Sequence, residues 1–199
     1  MKTAIHTREM PKGRNCAPCN GVLPTSDAQQ PNAGYRPSIV VSVSEVRKVC
    51  HGSRVVVEQP RIVQTRYTKD FGSGFYCTML REQAVRWAVR FTGRGWLSHF
   101  DYRPDSSLDT LVFPQMSEEW LDFVVACRHG DVHTYDIVEG PMANDTIYNY
   151  VQDFIDGKIS RAAFWELAKF KRPTHQICFC TAAALGALTF SEAEEVYDG

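Results

Sequence analysis

Three short segments combine chemically capable side chains with glycines or strand edges: CHGSR at residues 50–54, DFGSGFYCT at 70–78 and HQICF at 175–179. Each falls at the edge of a predicted strand, where a sheet projects polar groups into a cleft. Two common chemistries do not fit them. Asp70-Phe71-Gly72 spells the magnesium-loop tripeptide of protein kinases, but no Gly-rich phosphate loop precedes it and no His-Arg-Asp loop is present. A chain of 199 residues is also too short for two kinase lobes. A serine or cysteine hydrolase fares no better: there is no Gly-x-Ser-x-Gly elbow, and Cys50 and His51 are neighbours, so on a strand they face opposite ways. Cys16-x-x-Cys19 has zinc-knuckle spacing without a second pair at finger distance, and His129, His133 and His175 are dispersed, so no metal is expected.

The elements that position these segments follow from composition and pattern. With 22 basic and 23 acidic residues the net charge is -1, which gives no electrostatic reason to expect a nucleic-acid or anionic-membrane partner. A local patch still leaves a nucleic-acid acceptor open. No run reaches the ~18 apolar residues of a membrane helix, and the N-terminus lacks the apolar region of a Sec signal, so a soluble protein is expected. Seven cysteines, most of them in apolar runs, favour a reducing compartment. Residues 1–38 hold five of the ten prolines and almost no apolar periodicity, the composition of a disordered leader; the folded domain is expected over 39–199.

Within that domain, strands are expected over 46–51, 74–78, 96–102, 108–113, 135–138, 176–180 and 188–196. The third and fourth read as a strand pair around the turn Pro104-Asp105-Ser106-Ser107. Ala84, Trp87, Ala88 and Phe91 recur at helical spacing as one apolar face. Ser117-Glu118-Glu119 opens a helix that buries Trp120, Leu121, Val124 and Val125. Ile147, Tyr150, Val151 and Phe154 mark another, capped by Asn144 or Asp145, and Ser160 caps a further one; a short turn of helix follows over 181–187. Trp87, Trp120 and Trp165 are expected in the core. Strands in clusters with helices interposed irregularly favour α+β over a doubly wound sheet.

The HGSR and FGSGFY segments, each at the edge of a predicted strand, resemble the first two signatures of the ADP-ribosyltransferase fold, in the His-Tyr-Glu form of the poly(ADP-ribose) polymerase type. HGS, DFGSGFY, EEWLDFV, YDIVEGPMANDTIY and QICF, in that order, also resemble an uncharacterised, mainly bacterial family assigned to the same fold, over roughly residues 46–195. The resemblance implies two packed, mainly antiparallel sheets with surrounding helices and a cleft for NAD. It implies that His51 hydrogen-bonds the adenosine ribose of NAD and that the Gly52 backbone, with Ser53 beside it, holds the nicotinamide amide. Tyr76 would stack on the ring, with Phe71 and Phe75 adding wall, while Gly72 and Gly74 let the backbone turn beneath it. An aromatic between glycines then forms one side of a slot for a flat ring.

The third signature departs from the pattern. Where the polymerase type has Glu, this protein offers Gln176, which accepts a hydrogen bond but carries no charge to stabilise a developing cation. The resemblance therefore implies transfer of a single ADP-ribose, with Asp136 or Asp145 as the replacement carboxylate. NAD is the expected substrate and a protein the first expected acceptor, ubiquitin threonine being one candidate. The expected setting is the cytoplasm, or a host cytosol reached as a toxin or effector by a non-Sec route. The alternative expectation is a catalytically weak member of the fold acting as a nucleotide- or protein-binding module.

Overall fold

The computed structural model describes residues 45–63, 69–143, 145–169 and 174–199. The expected leader, the Cys16–Cys19 pair and the expected domain start at Ile39 lie outside the described residues. Within them, strand-forming runs assemble into two sheets. Strands β1 (Arg47–Ser53), β3 (Arg94–Tyr102) and β7 (Leu188–Tyr197) form an antiparallel sheet in the order β1-β3-β7. Strands β2 (Phe75–Cys77), β6 (Gln176–Phe179), β5 (Ile137–Gly140) and β4 (Thr110–Val112) form the second, antiparallel except between β4 and β5. Five helices accompany the strands, the mixed architecture expected of the α+β class.

Alternation along the strands sorts side chains into three layers of core. Val49, Phe75, Phe100, Tyr102, Ile137, Ile177 and Phe179 meet between the sheets. On the far side of the second sheet, Val138 and Cys178 pack against Trp120, Leu121, Ile147, Val151 and Phe164. These come from helices α2 (Glu118–His129), α3 (Asp145–Ile155) and α4 (Arg161–Ala168). The caps are those expected at two helices: Ser117 accepts from Trp120 N and Ser160 from Ala163 N. Gly130, at φ 98, closes α2 in a left-handed turn.

The third layer is helix α1 (Arg81–Val89), laid across the outer face of β1 and β3. Here the expected apolar face is partly overturned. Ala84 and Ala88 are buried as read, but Trp87 is 43% and Phe91 73% exposed. The crossing is too close for large side chains: a Cβ on Gly52 would lie 2.0 Å from Ala84 O, and one on Gly95 2.3 Å from Ala88 O. Gly52→Ala must therefore push α1 off the sheet, and a loss of about 1–3 kcal/mol is expected in urea unfolding. An unchanged midpoint would show that the helix yields freely.

A second expectation is also overturned. β3 and the strand after it do not form a pair; they belong to different sheets. The 103–109 connection crosses between the sheets instead, with Arg103 N bonded to Ala187 O at 3.0 Å and Asp109 O accepting from Asp136 N at 2.8 Å. This anchoring brings β4 alongside β5 in parallel.

Candidate functional site

Among the described residues the two sheets are joined backbone to backbone at one bridge, where Cys50 and Thr78 exchange both hydrogen bonds at 2.9 Å. Strand geometry then fixes what lies beyond it. Two residues along β1, the N–H and C=O of Gly52 point to the same edge as those of Cys50, while its missing side chain admits α1. His51, between them, shares the inter-sheet face with Val49.

The imidazole of His51 stacks on Phe75 with ring centroids 4.4 Å apart. Its Nδ1 lies 2.7 Å from Tyr76 O. A carbonyl only accepts, so Nδ1 carries the proton in that contact. Burial lowers the pKa of the ring, more than the carbonyl raises it, and nearby Lys69 lowers it further. His51 is thus neutral at pH 7, and its Nε2 is a bare acceptor with no partner among the described residues. An acceptor of this kind, fixed in tautomer and orientation, suits a hydroxyl donor.

The loop from Asp70 to Gly74 is built around Tyr76. The Tyr76 hydroxyl donates to Gly72 O at 2.7 Å and accepts from Phe71 N at 3.2 Å. Gly72 makes the turn at φ 75, a conformation open to glycine. Gly74 is required by contact instead, since a Cβ there would lie 2.3 Å from Cys178 Sγ. The Lys69 ammonium sits 4.6 Å from the centre of the Tyr76 ring, and burial lowers its pKa.

Several expected residues sit elsewhere. Phe71 is fully buried among the helices rather than lining a cleft. The Ser53 hydroxyl donates to Val55 O at 2.5 Å, a local turn contact. On β6, Ile177 and Phe179 take the inter-sheet face, so Gln176 points to the helix side with Cys178. There its amide nitrogen donates to Asp70 Oδ2 at 3.2 Å and Pro141 O at 3.3 Å. Asp136 holds the ends of the second sheet together, accepting from Asp109 N at 3.0 Å and Thr181 Oγ1 at 2.6 Å. Asp145 begins α3, and its side chain lies outside the described residues. The structure brings together His51, Gly52, Phe75 and the Tyr76 carbonyl, places the Tyr76 ring on the helix side of β2 with Cys178 rather than in the expected stacking position beside His51, and leaves Gln176 and Asp136 in structural contacts.

Sequence reasoning missed Glu139, a carboxylate placed on the inter-sheet side of β5 beside Ile177. Arg47 grips it with two nitrogens at 2.8 and 2.5 Å, and His175 Nε2 donates at 3.0 Å. A signal was available: a charged residue in a four-residue apolar strand must find partners. Burial raises its pKa, but the hydrogen bonds and charge of its partners outweigh that and hold it at about 2, against 4.5 ordinarily. A depressed carboxyl pKa stabilises the fold above the unfolded value and loses that contribution as pH falls through the folded one. We expect up to about 3 kcal/mol to disappear between about pH 4.5 and 2 in wild type. Urea unfolding of Glu139→Gln should lack this component; an equally steep decline in the variant would assign it to other groups.

Among the described residues no three His, Cys, Asp or Glu side chains converge as a metal site, and no helix is long and apolar enough to cross a membrane. A family model described as "Protein of unknown function (DUF3990)" matches residues 48–190. No curated protein matches the sequence.

Proposed function

We propose, from the premise that this chain belongs to the DUF3990 family, that it has the ADP-ribosyltransferase fold and transfers one ADP-ribose from NAD to a macromolecular acceptor. The observation that carries the reading is the pairing of a neutral His51, its Nε2 free to accept, with a Gly52 backbone turned toward the β2 edge. A nicotinamide carboxamide has one donor and one acceptor side, complementary to a backbone C=O and N–H. A ribose hydroxyl supplies the proton that Nε2 accepts. In the proposed reaction the ribose C1–nitrogen bond breaks, and its electron pair neutralises the pyridinium as nicotinamide leaves. The acceptor's nucleophile then bonds to C1 and loses its proton. Clamping ring and ribose aligns the acceptor with the cationic carbon.

The missing acidic group limits this chemistry. A fixed charge beside a developing ion is worth about 10²–10³ in rate, and none of the predicted carboxylates with a described side chain is placed beside His51. This favours a single transfer over polymer growth. The proposed acceptor is a protein in the first instance, in keeping with a toxin or effector, and ubiquitin threonine remains one candidate.

A specific observation favours a second reading, a nucleotide- or protein-binding module. Asp70, Asp136 and Glu139 all spend their oxygens on protein donors, leaving no carboxylate among them for catalysis. Calorimetry with NAD, followed by chromatography of the mixture, separates the two. A transferase binds NAD and releases nicotinamide once an acceptor is supplied; a nucleotide-binding module shows binding heat with NAD intact, and absence of both binding and release removes the NAD site.

A further inference from the structure

Beyond the His51 site, Cys180 and His133 line a cavity of about 280 Å³ at the end of β6, with the Cys178 thiol buried behind Cys180. Cys178 and Cys180 alternate to the same side, and their sulfurs are 3.3 Å apart. The backbone of Cys180 is fixed by its N–H to Asp136 O at 2.8 Å. His133 is fixed too: its Nε2 lies 3.1 Å from Phe71 O and must donate there, and its ring packs against Phe123 and Tyr135. That leaves Nδ1 buried without a well-formed hydrogen bond.

His133 and Cys180 share the cavity wall, and each shifts the other toward an ion pair. Contact with the Cys178 thiol and with His133 outweighs burial and brings Cys180 down to about 6, while His133 is raised. Lys69 and Asp131 also line the cavity, and Cys127 lies on its wall. Burial pushes Cys127 up to about 12 and Cys50 up to about 11, and raises Cys77 and Cys178 as well. Among the described cysteines, Cys180 is thus the one whose surroundings favour the thiolate, while Cys50, Cys77, Cys127 and Cys178 are held as thiols.

We propose that Cys180 is a peroxide-sensitive modification site, with Cys178 as its resolving partner. The Cys180 thiolate attacks one oxygen of a hydroperoxide; the O–O bond breaks, the sulfur becomes a sulfenic acid, and hydroxide or alkoxide leaves and takes up a proton. The Cys178 sulfur then displaces the sulfenic oxygen as water, giving an intramolecular Cys178–Cys180 disulfide. The sulfurs need to close by little more than about 1 Å to reach bonding distance. Because Cys178 Sγ also packs beneath Gly74, the disulfide withdraws a contact from the loop that Tyr76 pins.

The test treats the reduced full-length protein with equimolar hydrogen peroxide near pH 7, quenches with an alkylating agent and maps the peptides by mass spectrometry. The C-terminal peptide carrying both residues should lose two hydrogens and stop taking alkyl groups, about tenfold or more faster than Cys50, Cys77 or Cys127 oxidise. In Cys178→Ser, dimedone should trap Cys180 as its sulfenic acid. His133→Gln should slow alkylation of Cys180 by iodoacetamide near pH 7 and leave it close to wild type near pH 9.5. A Cys180 that reacts no faster than the buried thiols, or a sulfenic acid that persists in wild type, would overturn the proposal.

Discussion

Arg128→Ala is expected to destabilise the fold by about 3–5 kcal/mol, because it leaves the Asp70 carboxylate buried without its counter-ion. Side-chain exposure is 1% at Arg128 and 6% at Asp70. Nε and Nη2 of Arg128 reach Asp70 Oδ1 at 3.2 and 2.5 Å, Nη1 donates to Tyr148 O at 3.1 Å, and the guanidinium lies 4.0 Å from the Tyr148 ring centre. The other carboxylate oxygen accepts from Ala143 N at 2.8 Å and from Gln176. One buried group therefore ties the loop before β2, helix α2, helix α3 and strand β6 together. Truncating the arginine strands a charge that two neutral donors do not balance. The exposed Arg161 contacts to Glu118 and Asp122 provide the comparison: Arg161→Ala should change stability by only about 0–1 kcal/mol. Urea unfolding of both variants checks this, and a loss below about 1 kcal/mol at Arg128 would contradict the account of the cluster.

The same cluster shows what the sequence disclosed and what it concealed. The helices over 118–129 and 161–168 are legible because local rules govern them: a serine cap and an apolar stripe. The strands around His51, Tyr76 and Gln176 are legible as strands for a similar reason. Which face Gln176 presents is not, because that depends on its register with β2 and β5. Asp70 stands out in the sequence for its tripeptide, but its partner is 58 positions away, and no local pattern links Asp70 to Arg128. Trp87 misleads because its spacing meets the helical rule while Gly52 and Gly95 draw the backbone in too close to bury it. The grouping of His51 with Phe75 follows from a resemblance, which does not foresee the Tyr76 ring on the helix side; the tautomer of His51 becomes legible only from its contact with Tyr76 O.

His51→Asn is expected to reduce ADP-ribose transfer by on the order of 10²-fold while leaving the fold close to wild type. The asparagine amide nitrogen takes the position of Nδ1, so the hydrogen bond to Tyr76 O survives, and the acceptor at Nε2 disappears. His51→Ala removes both and should add a stability loss of about 1 kcal/mol. The difference between the variants separates a ribose-orienting role from a purely structural one. If His51 only braced β1 against β2, the asparagine variant would retain its activity.

The most direct test of the proposed transfer is to incubate the full-length protein with NAD labelled in its adenosine moiety and a cell lysate, beside His51→Asn. The proposed transfer predicts label on macromolecules with wild type, free nicotinamide in matching amount, and a reduction of both by about 10²-fold in the variant. Equal labelling by the two proteins, or no label and no nicotinamide from wild type, would contradict it.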